Sequence, residues 1–219
     1  MAVNLKCFRG FTLAEVLIAL VIIGVIAAMT IPTLMNNTNK QEYVSRLTKA
    51  YSTLNQGLNS IWQNNGVSPG DYEFLNTVDF IDELAKVVAT QKKCNTANAC
   101  LGGSIASKYK FLNNNSASGV TDGKTVITAD GQLYSYTNAA YIFYGISAED
   151  SDNVVGRLIV DVNGAKKPNK FGVDTYLFYI VRGKGFVPAG ADNYAGCNKT
   201  QKGYECTAKV LKEKAITYI

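Results

Sequence analysis

The chain has 219 residues, with 22 basic and 17 acidic side chains and no histidine. The absence of histidine excludes catalysis by a histidine base or nucleophile, and it excludes metal sites built on imidazole. Lys6 and Arg9 precede a long apolar stretch, and the 20 basic residues that remain against 17 acidic ones are too small an excess to predict nucleic-acid binding.

The apolar stretch near the N-terminus is the first predicted element. No charged residue occurs between Val16 and Asn39, and residues 16–29 are apolar throughout. A helix of this length can cross a bilayer, and the positive charges before it predict that the N-terminus stays in the cytoplasm while the rest is exported. A secretory signal peptide cleaved at residues 25–27 and an uncleaved signal anchor both fit this pattern. Neither explains why the carboxylate of Glu15 is kept at membrane depth.

The segment "RGFTLAEVLIALVIIGVIAAMTIPTL", Arg9–Leu34, resembles the N-terminal signal of type IV prepilins and type II secretion pseudopilins. The resemblance implies that a prepilin peptidase cleaves after Gly10 on the cytoplasmic side and that the new terminal residue, Phe11, is N-methylated. It also implies that the apolar segment is kept. Gly24 and Pro32 match the family's helix-weakening glycine and proline, and both residues lower helix stability for known backbone reasons.

The resemblance also implies a role for Glu15 in assembly. Cleavage would create an ammonium group at Phe11, and a carboxylate and an ammonium in a low-dielectric environment offset each other's desolvation when they meet. Their spacing of four residues on a helix allows a pair within one chain. In the family, the glutamate is instead proposed to reach the N-terminus of a neighbouring subunit and to set the axial register. The alternative is an interfacial carboxylate that only reaches the headgroups.

Beyond Pro32 the apolar residues recur at spacings of three and four. This periodicity predicts an amphipathic helix with one buried face, which continues the membrane helix and ends within Asn64–Gly70. We expect the buried face to pack against a sheet. The apolar stripe consists of Val44, Leu47, Tyr51, Leu54, Leu58 and Ile61.

The remaining chain predicts an α+β domain. Apolar residues within 78–88 predict a second helix, capped by Asn76 or Thr77. Asp130-Gly131 predicts a hairpin between two strands, and "VVGRLIVDV", "DTYLFYIV" and "GKGFVP" predict further strands. The C-terminal "TAKVLKEKAITYI" favours a helix over a strand.

These elements predict an α+β fold, with a long N-terminal helix packed on a small antiparallel sheet of about four strands. The resemblance implies that this fold is type IV pilin-like. We expect four parts. They are a leader removed by cleavage (1–10), the transmembrane half of the helix (11–35), its amphipathic half (36–65) and an exported α+β domain (66–219).

Four cysteines follow the apolar stretch in two local pairs, Cys94 with Cys100 and Cys197 with Cys206. Neither spacing is the C-x₂-C of zinc or thioredoxin sites. On the oxidising side of a membrane the four predict two disulfides, and three pairings exist. Short loops lose the least entropy on closure, which favours the local pairs. Reduced cysteines in a cytosolic core are the alternative. The resemblance to pilins implies that the C-terminal pair lies in a region of subunit contacts and adhesion. The alternative is that this disulfide only stabilises the fold.

The loop "DVNGAKKPNKFGVD" is a candidate cation site. Asp161, Asn163, Asn169 and Asp174 supply oxygen ligands of the kind that Ca²⁺ prefers, and some pseudopilins bind Ca²⁺ in a loop of the sheet region. The glycine positions do not fit an EF-hand, and three lysines within the loop oppose a cation. The alternative is a pair of turns without metal. No cofactor is otherwise required.

The sequence contains no Gly-rich phosphate loop and no nucleophile elbow, and its acidic pairs are typical of solvated charges. We therefore expect a non-enzymatic filament subunit of a bacterial type IV pilus-like system. Its expected partners are further copies of itself, a prepilin peptidase, an inner-membrane platform protein, an assembly ATPase and, before assembly, the lipid bilayer. Nucleic acid is not expected as a primary partner.

The expected location is the inner membrane, crossed once, before assembly, and a periplasmic or extracellular filament afterwards. The alternative function is an exported enzyme or sensor domain, either membrane-anchored or secreted behind an ordinary signal sequence. The sequence does not distinguish a pilus, a type II secretion system and a DNA-uptake machine, nor a major from a minor subunit.

Overall fold

A computed structural model describes residues 10–121, 123–138 and 144–219, without the side chains of residues 33, 36, 76 and 77. The predicted leader therefore lies outside the described residues, except for Gly10. The chain divides into two compact units, one that ends at Asn39 and a second that comprises Lys40–Ile219.

The long helix predicted from the sequence is helix α1, Leu13–Asn64. It includes both Gly24 and Pro32, and it ends where the run "NNGVSPG" begins. From Lys40 onward its apolar stripe faces the core. The stripe residues Val44, Leu47, Leu54, Leu58 and Ile61 are buried, and the ring of Tyr51 stacks on that of Phe178 with 5.7 Å between the ring centroids. The predicted helix and its buried face are confirmed.

In the described part of the chain, the sheet has six antiparallel strands in the order β1 to β6. The predicted class, α+β with an antiparallel sheet, is confirmed, but the expected number of about four strands was too low. The strands are β1 Thr90–Cys94, β2 Lys124–Thr128, β3 Leu133–Thr137, β4 Val154–Asp161, β5 Thr175–Val181 and β6 Gly185–Pro188.

Strand β1 is the strand that the sequence pattern did not reveal. Its sequence, TQKKC, has no alternation of apolar and polar residues, because β1 is an edge strand and only Cys94 is buried. The paired lysines are what an exposed edge commonly carries, since charge discourages pairing with another chain.

Two apolar layers cover the two faces of the sheet. One face packs on α1, through residues of alternating strand positions such as Leu158, Val160 and Phe178. The other face, which includes Ile159 and Leu177, packs on aromatic residues that lie outside the strands. These aromatic residues are Tyr109, Phe111, Phe171 and Tyr204.

Six short helices accompany the sheet in the described chain. They are α2 Phe74–Thr77, α3 Phe80–Val87, α4 Ala97–Leu101, α5 Ile105–Lys108, α6 Ala148–Asp152 and α7 Cys206–Glu213. The predicted cap at Asn76 or Thr77 was wrong. Asp79 caps α3 by accepting from the backbone N–H of Asp82, because Val78 is extended and separates α3 from α2. The C-terminal helix is confirmed as α7, and its Thr207 hydroxyl accepts the backbone N–H of Leu177 in β5.

Candidate functional site

The start of α1 is capped by three hydrogen bonds between Thr12 and Glu15, which run in both directions. The Glu15 backbone N–H donates to Thr12 Oγ1 (3.2 Å), while Glu15 Oε2 accepts from the Thr12 backbone N–H (2.8 Å) and hydroxyl (2.7 Å). This arrangement is a capping box, which satisfies backbone donors that the first helical turn leaves without partners. The spacing Thr-x-x-Glu signals the motif in the sequence, so the role of Thr12 could have been predicted. Glu15 therefore stabilises the start of its own helix, and it does so without any contact with a neighbouring subunit.

The predicted cleavage site lies immediately before this cap. Gly10 and Phe11 are exposed and precede the first helical residue, Leu13. A peptide bond outside a helix can enter the extended conformation that a protease needs without breaking helical hydrogen bonds. The geometry is therefore compatible with cleavage between Gly10 and Phe11, and cleavage and methylation themselves stay predictions.

The first half of α1 presents a continuous apolar surface. By length and composition α1 can cross a membrane, and its most apolar window has no buried residue. Phe11 is 88% exposed and Leu13 is 80% exposed. Water is an unfavourable environment for so large an apolar surface, so these side chains require lipid or other apolar helices as neighbours. Large apolar residues exposed here include Val16, Leu17, Ile18, Leu20, Val21, Ile22, Ile23, Val25, Ile26, Met29, Ile31, Leu34 and Met35.

The candidate cation loop connects β4 to β5, and both of its carboxylates are buried. Tyr109 donates its hydroxyl to Asp161 Oδ2 (2.6 Å), and the backbone N–H of Asn163 donates to Asp161 Oδ1 (3.0 Å). Asp174 accepts from the backbone N–H groups of Asn169 (2.8 Å) and Lys170 (2.6 Å). The structure thus brings all four predicted ligand residues into one closed loop.

Burial raises the pKa of Asp161 well above its ordinary value, and the charge of Asp174 raises it further. Burial also raises the pKa of Asp174, to about 6, although the backbone donors act in the opposite direction. No ion pair of the described chain includes either carboxylate. Two buried acids without a cationic partner are stabilised by a proton or by a bound cation.

The amide side chains of this loop contribute carbonyl-type oxygens. Asn163 donates through Nδ2 to the carbonyl of Lys167 (3.3 Å), while its Oδ1 is buried and has no hydrogen-bond partner among the described residues. In the amide orientation that satisfies both of its side-chain atoms, Asn169 donates through Nδ2 to the carbonyls of Gly164 and Lys166. Among the residues described, no three Asp, Glu, Cys or His side chains gather as a metal site. A cation here would therefore depend on the amide oxygens together with the two carboxylates.

The structure joins Cys94 to Cys100 (Cα–Cα 5.7 Å) and Cys197 to Cys206 (Cα–Cα 4.7 Å). The first bond ties the end of β1 to α4. The second ties a loop to the first residue of α7, beside the buried side chain of Leu112.

Comparison with known families places the N-terminal segment in a defined class. Residues 5–31 match the prokaryotic N-terminal methylation motif. The N-terminal signal predicted from Arg9–Leu34 is thereby confirmed as a prokaryotic N-terminal methylation motif.

A curated relative extends the match. The chain is 39% identical to the type II secretion system core protein G of Escherichia coli (strain K12), over 24% of this chain and 48% of that protein. The match therefore spans about half the length of this relative. No solved structure matches the chain.

Proposed function

We propose that this protein is a structural, non-enzymatic subunit of a type IV pilus-like filament, processed at Gly10–Phe11 and assembled through the first half of α1. The observation that carries the proposal is the methylation motif over residues 5–31, followed by a capped helix whose apolar side chains are exposed. The relative's name, a type II secretion core protein, favours a secretion pseudopilus over a surface pilus.

The exposed apolar surface supports an assembly mechanism. Before assembly, residues 11–35 lie in the bilayer, and in the filament they lie against the same segment of neighbouring subunits. Their apolar area stays out of water in both states, so the net driving force for each subunit is small. Assembly of this kind is reversible and needs an external motor, which would be the assembly ATPase acting through the inner-membrane platform protein.

The N-terminus of the mature protein tests this function. Intact-mass and peptide mass spectrometry of the protein from membranes should find N-methyl-Phe11 as the first residue. Gly10→Val is the control, because a bulky residue before the scissile bond should leave the leader attached. A mature chain that begins near Ala28 would indicate an ordinary secretory signal, and it would support the alternative of an exported enzyme or sensor.

We further propose that the loop between β4 and β5 binds Ca²⁺ through Asp161, Asn163, Asn169 and Asp174. The unpartnered Oδ1 of Asn163 and the unpaired buried carboxylates support this assignment. Of the three lysines in the loop, Lys166 and Lys167 are exposed, so solvent screens their charge. The ammonium of the third, Lys170, donates to Asn114 Oδ1 outside the loop. A bound cation would neutralise the two carboxylates and hold the loop closed.

Thermal unfolding tests the calcium site. In a chelator, the raised pKa values of Asp161 and Asp174 mean that the folded protein holds protons more tightly than the unfolded chain. Stability should therefore be highest near pH 4 and should fall as the pH rises through about 6. Millimolar Ca²⁺ should raise the unfolding midpoint at pH 7 and have little effect near pH 4.5.

Asp161→Asn is the matched variant for this experiment. It removes one of the two charges but keeps the shape of the side chain, so both the pH dependence and the response to Ca²⁺ should weaken. An unfolding midpoint that is the same with chelator and with millimolar Ca²⁺ at pH 7 would end the calcium proposal.

A further inference from the structure

Three segments that lie outside the sheet, residues 108–116, 164–170 and 198–203, are neighbours on the surface of the second unit. The Lys110 backbone N–H donates to the carbonyl of Asn169 (3.0 Å), and the Leu112 backbone N–H donates to the carbonyl of Lys202 (3.0 Å). The Lys170 ammonium donates to Asn114 Oδ1 (2.7 Å), which links two of the segments through side chains. Segments distant in sequence therefore form one surface.

This surface carries seven lysines and no acidic residue. Six of the lysines are exposed, and Lys170 is half-buried. Burial, followed by the charges of Lys110 and Lys199, lowers the pKa of Lys170. We call the set the lysine patch, and it consists of Lys108, Lys110, Lys166, Lys167, Lys170, Lys199 and Lys202.

The lysine patch differs from the other basic side chains of this unit in its lack of counter-charges. Among the described residues, no ion pair includes a lysine of the patch. Eight basic residues elsewhere in the unit form such pairs. These eight are Arg46, Lys49, Lys86, Lys93, Lys124, Arg182, Lys184 and Lys209. The patch is therefore a local concentration of positive charge that the mild net charge of the whole chain does not reveal.

The patch lies at the end of the second unit that contains Lys40, the first residue of that unit. Arg46 donates to the carbonyl of Val162 (3.3 Å), immediately after β4, and Lys40 donates to the carbonyl of Ile219 (3.4 Å). Tyr218 donates in turn to the carbonyl of Gly172, in the same loop as Lys170. Residues 164–170 thus lie at the same end of the second unit as its first residue, Lys40.

Chain connectivity keeps this end near the membrane surface. Met35 is the last residue of the exposed apolar stretch, and five residues later Lys40 begins the second unit. Five residues span at most about 18 Å even when fully extended. The end that carries the patch is therefore held close to the bilayer for as long as residues 11–35 are embedded in it.

The opposite end of the same strands has mixed charge. Helix α6, directly before β4, exposes Glu149 and Asp152, while Arg182, directly after β5, and Lys184 supply positive charge there. An anionic surface would therefore attract the end of the unit that carries the patch more strongly than the other end.

We propose that the lysine patch binds the anionic phospholipid headgroups of the bilayer in which the chain is anchored before assembly. The inference rests on the proposed function, which supplies the membrane anchor. Clusters of four to eight basic residues beside a membrane segment are typical of contact with anionic lipid. Lysines act as point charges toward phosphate, and the aromatic residues of these segments, Tyr109 and Phe111, are buried, so no platform exists for stacking nucleobases.

Acetylation of lysines in lipid nanodiscs tests the proposal with the intact chain. Discs of phosphatidylcholine alone are compared with discs that also contain phosphatidylglycerol, and mass spectrometry gives the modification rate at each lysine. Phosphatidylglycerol should slow acetylation of the patch lysines at least threefold at about 0.1 M salt. The effect should disappear at about 0.5 M salt, because mobile ions screen exposed charges. Lys86, Lys92 and Lys184 should react equally in both kinds of disc.

Two triple variants, each of which removes three positive charges, distinguish the effect of the patch from the effect of the net charge of the protein. K166Q/K167Q/K170Q should abolish the lipid-dependent protection of Lys108 and Lys202. K86Q/K92Q/K184Q should leave that protection unchanged.

Equal acetylation rates in the two kinds of disc, or equal slowing of all lysines, would overturn the proposal. Protection of the patch by duplex DNA without any effect of phosphatidylglycerol would also overturn it and would assign the patch to nucleic acid. Failure of the chain to insert into the discs would refute the membrane anchor, and with it both proposals. Normal insertion with unprotected lysines would refute the lipid contact alone.

Discussion

Glu15→Gln should reduce filament assembly at least tenfold while membrane insertion and the start of α1 stay intact. Glutamine can replace glutamate in a capping box, so this variant keeps the hydrogen bonds with Thr12 and removes only the charge. Loss of one partner from an ion pair in a low-dielectric environment costs about 3–5 kcal/mol, which is enough to prevent association of subunits. The measurement compares the protein in sheared filaments with the protein in membranes by quantitative immunoblotting.

Thr12→Ala is the complementary variant. It removes the capping hydroxyl and keeps the carboxylate, so it should cost about 1 kcal/mol of local helix stability and leave assembly close to that of the parent. If Thr12→Ala impaired assembly as strongly as Glu15→Gln, the role of Glu15 would be that of a helix cap. If Glu15→Gln assembled as well as the parent, the charge would have no role in assembly.

Leu54→Ala should lower the free energy of unfolding of the second unit by about 2–5 kcal/mol. Leu54 is fully buried in the core between α1 and the sheet, and its truncation leaves a cavity that close-packed neighbours fill only in part. Urea unfolding of the intact chain in detergent can be followed by the fluorescence of Trp62, the one tryptophan, which is buried against Tyr72 in the same core.

Asn59→Ala is the matched control, because Asn59 lies in the same helix and is exposed. Alanine has a higher helix propensity than asparagine, so the control should change stability by less than about 0.7 kcal/mol. Equal effects of the two variants would mean that the apolar stripe of α1 does not stabilise the sheet.

The elements that the sequence predicted well are those in which periodicity and burial agree. The stripe from Val44 to Ile61 has helical spacing and faces the sheet, and Asp130-Gly131 lies in the turn between β2 and β3. The strand β1 was missed because an exposed edge strand needs no apolar alternation. The cap of α3 was misplaced because Asn76, Thr77 and Asp79 are all good capping residues, and only tertiary structure selects one of them.

For the candidate sites, the sequence predicted the residue types better than their environment. Asp161 and Asp174 were identified as ligand candidates, but their burial follows from the way that loops cover the second face of the sheet. The lysine patch was not predicted, because its three segments are separated by about fifty and thirty residues in the chain. Backbone hydrogen bonds such as that from Lys110 to Asn169 bring them together, and no local pattern encodes such bonds.

The capping box has a consequence for the order of events in maturation. The three hydrogen bonds of the box join only Thr12 and Glu15, and the peptide bond between Gly10 and Phe11 takes no part in them. Removal of the leader would therefore leave the first turn of α1 unchanged. In the described chain both contacts to Thr12 use Oε2 of Glu15, so Oε1 stays available when the new amine appears. Oε2 of Glu15 can then keep its hydrogen bonds with Thr12 while Oε1 binds the terminal amine of a neighbouring subunit. The first turn of the helix does not have to refold for this second contact.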